Sequence, residues 1–359
     1  MKRFLLPLLA SYLLPLLSWA APAILPENLR PGVHFEHGDW EVSCDNTRTC
    51  RMAGYQDESS QSASLSVLLE RTAGPSTPVL GQFQLGTYDD DGASPPITAV
   101  EMRIDGKFLG NIKLEDTLGK LNDSQVAALM NALEYEHPIT FSSNQKRWEL
   151  SSTGSNAVFL KADEVQGRLN TPSALYQTGK LPETQALPPL PVPVIHAATV
   201  KDQEARSFPD KKASSWIKRL RDKATKANEC PSLSESDGIG EPTVQTAELS
   251  NGYSLIMTQC WLGAYQGGSG VWLHYPDDTP WPLHLPYSEG FADVSDYYQG
   301  QLLSNFKGRG LGDCWSSQDW TWTGHNFELT GQSSTGMCRL VAAGGAWHLP
   351  TFVSRVEIP

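Results

Sequence analysis

The segment from residue 307 to residue 322 contains the densest group of residues that could support chemistry. It has a Lys-Gly-Arg-Gly-Leu-Gly-Asp-Cys run, followed by three tryptophans. A phosphate-binding loop is excluded, because the run lacks a Gly-Lys-Ser/Thr ending and leads into a tryptophan-rich strand instead of a helix. Alternate glycines instead permit positive φ angles and close approach of the chain. We therefore interpret Gly308, Arg309, Gly310, Gly312 and Asp313 as a structural turn, in which Arg309 can pair with Asp313.

Tryptophans are the candidate ligand-binding residues. Eight of the eleven lie in the second half of the chain, and exposed rings can stack on sugars or on apolar side chains of a partner. Residues two apart share one face of a strand. The same pattern is also typical of the core of a small, strand-rich domain, so both interpretations stay open. The candidates are Trp272, Trp315, Trp320 and Trp322.

Catalytic signatures are scarce. The chain has no Gly-x-Ser-x-Gly elbow, no His-Glu-x-x-His motif and no papain-like cysteine context. His274, Asp277, Asp278 and His284 have the residue types that hold a metal or exchange protons, but spacing alone does not show that they converge. The sequence therefore favours a non-catalytic protein, with no catalytic residues, no cofactor and no metal, and keeps an enzyme as the alternative.

The first 20 residues have the features of a secretory signal peptide. Lys2 and Arg3 precede an apolar run from Phe4 to Leu17, and Ser18-Trp19-Ala20 forms a small-x-small cleavage site. The apolar run is shorter than the roughly 20 residues that span a bilayer. We therefore predict an exported protein, periplasmic or secreted, with a signal peptide at 1–20 and no transmembrane segment after it.

Charge and length narrow the choice of partners and the number of domains. The formal net charge is −12, which argues against nucleic acid because phosphate binding needs a positive field. A chain of 359 residues is longer than one hydrophobic core usually serves, so two domains are expected.

Six cysteines in an exported chain predict three disulfides. If each half folds separately, the pairs are Cys44–Cys50, Cys230–Cys260 and Cys314–Cys338.

Short alternating runs bounded by turn residues predict a mainly β protein with few helices, of the α+β class. Five prolines between Leu181 and Val194 are typical of a semi-rigid spacer. We expect an N-terminal β-rich domain with one helix at 33–181 and a Pro-rich linker at 182–200. The remainder, 201–359, is expected to form a disulfide-bonded β-rich domain that begins with a basic helix.

Several motifs together suggest a family. They are Gly38-Asp39-Trp40-Glu41-Val42, Cys44-Asp45-Asn46, Cys50, Gln166-Gly167-Arg168, the glycine run ending at Cys314, Trp320-x-Trp322-x-Gly324 and Cys338-Arg339. With them the chain resembles the domain of unknown function 1176 family, which implies an exported bacterial protein with six cysteines and no assigned activity. The first half alone more weakly resembles the invasion-associated locus B family, which would imply an envelope or host-contact role.

These observations favour an exported, disulfide-stabilised protein that binds a partner in the bacterial envelope without catalysis. The expected partner is an envelope protein or a glycan. The alternatives are an envelope enzyme or inhibitor that acts on cell-wall glycans, and a host-contact protein.

Overall fold

The computed structural model describes residues 25–59, 63–87, 96–143, 146–223, 229–233, 243–276 and 278–359. The predicted signal peptide lies outside these ranges. Strands make up 40% and helices 14%, which confirms the mainly β fold class. Within the described ranges, no helix combines the length and apolar character needed to cross a membrane.

The first half builds one antiparallel sheet of ten strands, in the order β1-β2-β3-β4-β5-β8-β7-β6-β9-β10. In the strands near the start of the chain, successive side chains point to opposite faces of the sheet and both sets are buried. Both faces of the sheet must therefore be covered by other parts of the chain. The strands are β1 (Val33–His37), β2 (Trp40–Cys44), β3 (Cys50–Tyr55), β4 (Leu65–Arg71), β5 (Leu80–Leu85), β6 (Ala99–Ile104), β7 (Lys107–Glu115), β8 (Leu118–Leu121), β9 (Ile139–Ser143) and β10 (Lys146–Leu150).

Two helices, α1 (Asp123–Glu134) and α2 (Ser155–Val165), cover one face of this sheet. A reciprocal capping box between Asn122 and Gln125 starts α1. The expectation of a single helix in this half is wrong. In α2 the buried residues recur at helical spacing, and Phe159 meets the ring of Trp40 edge-on at 5.5 Å between centroids.

The end of the chain covers the other face of the same sheet. Ala53, Tyr55 and Leu68 form one buried cluster with Val341 and Leu349. The first and second halves are therefore packed against each other over residues nearly 300 positions apart in sequence.

The second half contains two five-stranded sheets, with orders β12-β13-β14-β15-β16 and β17-β18-β19-β20-β21, and a parallel pair β11-β22. The elements are β11 (Val194–His196), β12 (Arg206–Ser207), α3 (Asp210–Lys223), β13 (Val244–Glu248), β14 (Ser254–Leu262), β15 (Gly267–His274), β16 (Trp281–Pro282), β17 (Asp296–Tyr298), β18 (Gln301–Lys307), β19 (Trp315–Trp322), β20 (Phe327–Ser334), β21 (Leu349–Val353) and β22 (Arg355–Glu357). Short 3-10 helices occur at Glu27–Leu29, Glu183–Gln185 and Pro231–Leu233.

These two sheets share one core, to which Leu255 and Leu273 contribute from one sheet and Leu302 and Trp320 from the other. The predicted basic helix is α3. It buries Trp216, Ile217 and Leu220 in a separate cluster on the second half, as an ordinary amphipathic helix does.

Three disulfides join the cysteines in the expected pairs. Cys44–Cys50 links the facing ends of β2 and β3, where the two residues are direct cross-strand partners. Cys230–Cys260 fixes the segment after α3 to β14, and Cys314–Cys338 joins the start of β19 to the segment after β20.

The proline-rich segment is in contact with the rest of the chain. Its Leu187 exchanges main-chain hydrogen bonds with Gln166 and Gly74, and the N–H of Leu190 donates to the carbonyl of Thr47. At its end, β11 pairs with β22. The segment is thus fastened to the first half along its length, and the proposed domain boundaries at 182 and 200 stay a prediction.

Asp163 and Arg168 hold this part of the first half together. The carboxylate of Asp163 is fully buried and accepts hydrogen bonds from the N–H groups of Leu175 and Tyr176. Burial raises the pKa of Asp163 to about 6, although these hydrogen bonds and the positive charges of Arg71 and Arg168 act in the opposite direction.

We expect Asp163 to make the protein less stable as the pH rises from about 4 to about 6. The unfolded chain, with an ordinary Asp pKa near 4, loses this proton before the folded chain does, and this favours unfolding. Asp163→Asn removes the titration, while its Oδ1 can still accept both amide hydrogen bonds. The difference in free energy of unfolding, variant minus wild type, should therefore increase as the pH rises from about 4 to about 6. Urea denaturation at each pH measures this difference.

Glu164→Gln is the matched control for this measurement. Glu164 is the next residue in sequence, but its side chain is 59% exposed. Its difference from the wild type should stay constant across the same pH range. A flat difference for Asp163→Asn as well would contradict the assignment.

Candidate functional site

The glycine run forms a turn held by Arg309 and Asp313. The guanidinium of Arg309 donates two hydrogen bonds to Asp313, at 2.8 and 2.6 Å, and the N–H of Leu340 donates a third at 2.8 Å. Burial alone would raise the pKa of Asp313, but these bonds hold it below its ordinary value. Gly312 has φ of +70°, and a Cβ at Gly308 would lie 2.7 Å from the sulfur of Cys314. This geometry is that of a structural turn.

Three of the four candidate binding tryptophans lie in the core. Trp272, Trp320 and Trp322 are fully buried, because the face they share on each strand packs against another sheet or a helix. The indole N–H groups of Trp320 and Trp322 donate to Pro286 and Ser250. Their rings therefore have no face for a ligand, and of the two interpretations the core one applies to these three residues. Trp315 is partly exposed and donates its indole N–H to Gly312.

The proposed acid and histidine set of the second half is not assembled within the described residues. His274 packs edge-on against Trp216 and His284 lies beside Phe291, while Asp277 is outside the described ranges. The groups of described residues close enough to hold a metal ion are two others. One of them contains Cys314 and Cys338, whose sulfurs are in a disulfide and offer no thiolate.

A groove of about 430 Å³ lies where the two halves meet, and we call it the junction groove. His34 and Ser43 of the first sheet line one side, and residues of β14, β18, β19, β20 and β21 and of the loops after β14 and β16 line the rest. Its size is typical of small-molecule sites.

An aromatic pair lines the junction groove on the side of the second half. The rings of Trp261 and Phe306 are stacked, with centroids 5.7 Å apart and an angle of 26° between their planes. Both are partly exposed, and the indole N–H of Trp261 donates to the carbonyl of Ala292 at 3.0 Å. This bond fixes the Trp261 ring, so the pair forms an apolar surface beside the polar side chains of the groove.

Serine and glutamine side chains form a polar band beside this pair. The side-chain amide nitrogen of Gln318 donates a hydrogen bond to the carbonyl of Tyr287. The side-chain oxygen of Gln332 accepts a hydrogen bond from the hydroxyl of Thr351. Each side chain keeps its other amide atom for a ligand. Ser316, Ser317, Ser333 and Ser334 complete the band.

The charges that line the junction groove are mainly negative. Glu289 and Asp293 contribute carboxylates, and among the described residues that line the groove His34 alone can become a cation. A polyanionic ligand would be repelled here, whereas a neutral polyhydroxy compound would not.

His34 belongs to a cluster with Glu36 and Glu41 on the face of β1 and β2 toward the second half. His34 Nε2 lies 2.9 Å from Glu36 Oε1, and His34 Nδ1 lies 3.2 Å from the hydroxyl of Ser43. Glu41 is 1% exposed, and its Oε1 accepts from the hydroxyl of Tyr55 and the N–H of Met337.

The burial and contacts of this cluster shift its ionisation. Burial raises the pKa of Glu41, against the effect of its two hydrogen bonds. Burial also raises the pKa of Tyr55, so its hydroxyl stays a donor to Glu41. The hydrogen bond between His34 and Glu36 raises the pKa of His34 and lowers that of Glu36.

A second cleft, of about 390 Å³, lies beside α3. Two cations lie over its aromatic rings: Lys212 is 4.5 Å from the ring centroid of Phe208, and Arg219 is 4.3 Å from that of Trp216. We call it the basic cleft, because its charge is opposite to that of the junction groove.

The family model described as a protein of unknown function, DUF1176, matches residues 34–354. The chain belongs to this family. It is also 24% identical over 351 residues to the uncharacterized protein YpfG of Escherichia coli strain K12, covering 93% of this chain and 92% of that protein. No solved structure matches the chain. These matches confirm the resemblance to the DUF1176 family and do not support the one to the invasion-associated locus B family.

Sequence reasoning missed the junction groove of this DUF1176 protein. Trp261 follows Cys260 in β14, where a bulge shifts the pairing with β15 between Gln259 and Trp261. Strict alternation therefore does not tell which way the ring faces. Glu41 belongs to the Gly-Asp-Trp-Glu-Val motif, which gave it no role, and His34 belongs to no motif.

Proposed function

We propose that this protein is an exported binding protein of the bacterial envelope that holds a neutral glycan in the junction groove. It binds this ligand and catalyses no reaction. The observation that carries this proposal is the aromatic pair Trp261 and Phe306 beside a band of serine side chains and two glutamines, Gln318 and Gln332, whose amides are held by hydrogen bonds.

The chemistry of sugars fits this lining. A pyranose ring has apolar C–H faces that pack on aromatic rings, and a rim of hydroxyl groups that both donate and accept hydrogen bonds. An aromatic surface supplies the first contact, and amide and hydroxyl side chains supply the second. The fixed amides of Gln318 and Gln332 add directionality, because their orientation is set before a ligand binds.

Charge restricts the glycan class. With Glu289 and Asp293 in the lining and a net charge of −12, the groove favours neutral or N-acetylated sugars over uronic acids or sulfated chains. N-acetylglucosamine units of cell-wall glycans carry no ionisable group, so oligomers of N-acetylglucosamine are the glycan class we propose.

Export is supported by composition. Three disulfides fit an oxidising compartment, and the sequence predicts a signal peptide. The match to an Escherichia coli relative fits a bacterial source.

Trp261→Ala is expected to weaken binding of an N-acetylglucosamine tetrasaccharide about tenfold, which corresponds to about 1.4 kcal/mol. The loss arises because the sugar face loses the ring on which it packs. Isothermal titration calorimetry of the chain without the predicted signal peptide measures it, with thermal unfolding as a check on folding.

Trp281→Ala is the matched control, because Trp281 is 37% exposed and lies outside the groove. It should bind the tetrasaccharide like the wild type. An oligogalacturonate of equal length should not bind the wild type. Tetrasaccharide binding that is equal in Trp261→Ala and wild type, or no binding by the wild type, would contradict the proposal.

A further inference from the structure

One oxygen of a deeply buried carboxylate has no hydrogen-bond partner. Oε2 of Glu41 is buried without a partner among the described residues, whereas Oε1 of the same group accepts two hydrogen bonds. An unpaired carboxylate oxygen away from water costs several kcal/mol. Such a group calls for a further ligand, a cation above all.

Two side chains near Glu41 supply the rest of a coordination set. One ligand atom each from His34, Glu36 and Glu41 lies within 4.8 Å of the other two. Donor atoms bound to one zinc ion at 2.0–2.2 Å are themselves roughly 3.2–3.6 Å apart. His34 Nε2 and Glu36 Oε1, at 2.9 Å, need to separate by only a few tenths of an ångström.

We propose that His34, Glu36 and Glu41 bind a divalent transition-metal ion of the zinc class at the junction of the two halves. An imidazole with two carboxylates suits zinc and its neighbours and is unusual for calcium or magnesium, which prefer all-oxygen sites. Three protein ligands leave a fourth position for water or for a ligand of the groove.

Outer contacts orient two of the three ligands, His34 and Glu41, as in established metal sites. The Nδ1 of His34 meets the hydroxyl of Ser43, which fixes the ring so that Nε2 faces Glu36. The hydroxyl of Tyr55 and the N–H of Met337 hold Glu41 by Oε1, which leaves Oε2 for the ion. The second half therefore helps to shape a site whose ligands all come from the first.

The simpler account is an ion pair between His34 and Glu36 with no metal. That pair explains the 2.9 Å contact but provides no partner for Glu41 Oε2. Arg339 brings a positive charge toward Glu36, yet this charge is offset by Asp39 at 3.0 Å and Glu58 at 3.7 Å.

The test is calorimetric titration of the chelator-treated chain, without the predicted signal peptide, with zinc chloride. One zinc ion per chain is expected. Glu36→Gln and His34→Asn should each weaken zinc affinity at least tenfold, and Ser43→Ala by about tenfold through loss of orientation. Cobalt(II) in place of zinc should give visible absorption that is lost in the same variants.

His37→Asn is the matched control, because His37 lies on the same strand and stacks against Phe35 outside the cluster. It should bind zinc like the wild type. Absence of zinc binding by the wild type, or equal affinity in wild type, Glu36→Gln and His34→Asn, would overturn the proposal. The titration contains no glycan, so its failure leaves the proposed glycan function to its own test.

Discussion

Trp322→Ala is expected to lower the free energy of unfolding by about 3–5 kcal/mol. The ring is fully buried, lies edge-on to Tyr253 at 5.4 Å and against Phe327 at 5.2 Å between centroids, and donates its N–H to Ser250 at 2.9 Å. Removing it leaves a cavity between the two sheets of the second half and an unpaired hydroxyl. Urea denaturation followed by circular dichroism measures the loss.

Trp281→Ala is the control that shows whether the loss of stability comes from the burial of Trp322 or from the removal of any tryptophan. Trp281 belongs to the same half and also meets Tyr253 edge-on, at 6.2 Å, but it is 37% exposed. We expect a loss of about 1 kcal/mol or less. Comparable losses in the two variants, or a stable Trp322→Ala, would show that Trp322 is not a core residue.

Arg168→Met is expected to destabilise the protein by about 3–5 kcal/mol, because it leaves several buried acceptors unpaired. Arg168 is fully buried. Its guanidinium donates to Gln166 at 2.9 Å, Ser173 at 3.0 Å and Thr77 at 2.7 Å, and also to the carbonyl of Gly74. These bonds tie the segment after α2 to the turn between β4 and β5.

Lysine should not rescue this position. A single ammonium group cannot reach acceptors spread around a planar guanidinium, so Arg168→Lys should lose most of the same stability. Arg147→Met on the exposed side of β10 is the control and should stay within about 0.5 kcal/mol of the wild type. A small loss in Arg168→Met, measured by urea denaturation, would contradict the structural role.

Local signals in the sequence were sufficient for much of the fold. Short alternating runs indicated the strands, and the basic segment after the prolines indicated α3, because each signal depends on residues a few positions apart. Cys44 and Cys50 likewise face each other across a short turn. The Gln-Gly-Arg motif was recognised as a family feature, but the burial of Arg168 was not.

Other features could not be predicted because their partners are distant in sequence. Alternation placed Trp320 and Trp322 on one strand face, but whether that face meets solvent or a second sheet depends on β13–β15. The bond between Glu41 and Met337 joins residues 296 positions apart. No local pattern reports such a contact, so the junction groove and its cluster emerged only from the structure.

The most direct test of the binding account is hydrogen exchange of the chain without its predicted signal peptide, with and without the N-acetylglucosamine tetrasaccharide. The account predicts slower amide exchange on both sides of the junction groove, in peptides that contain Trp261, residues 316–318 and 332–334 of β19 and β20, and β1 with β2. Slower exchange confined to the basic cleft around Phe208 and Trp216, or no change anywhere, would contradict it.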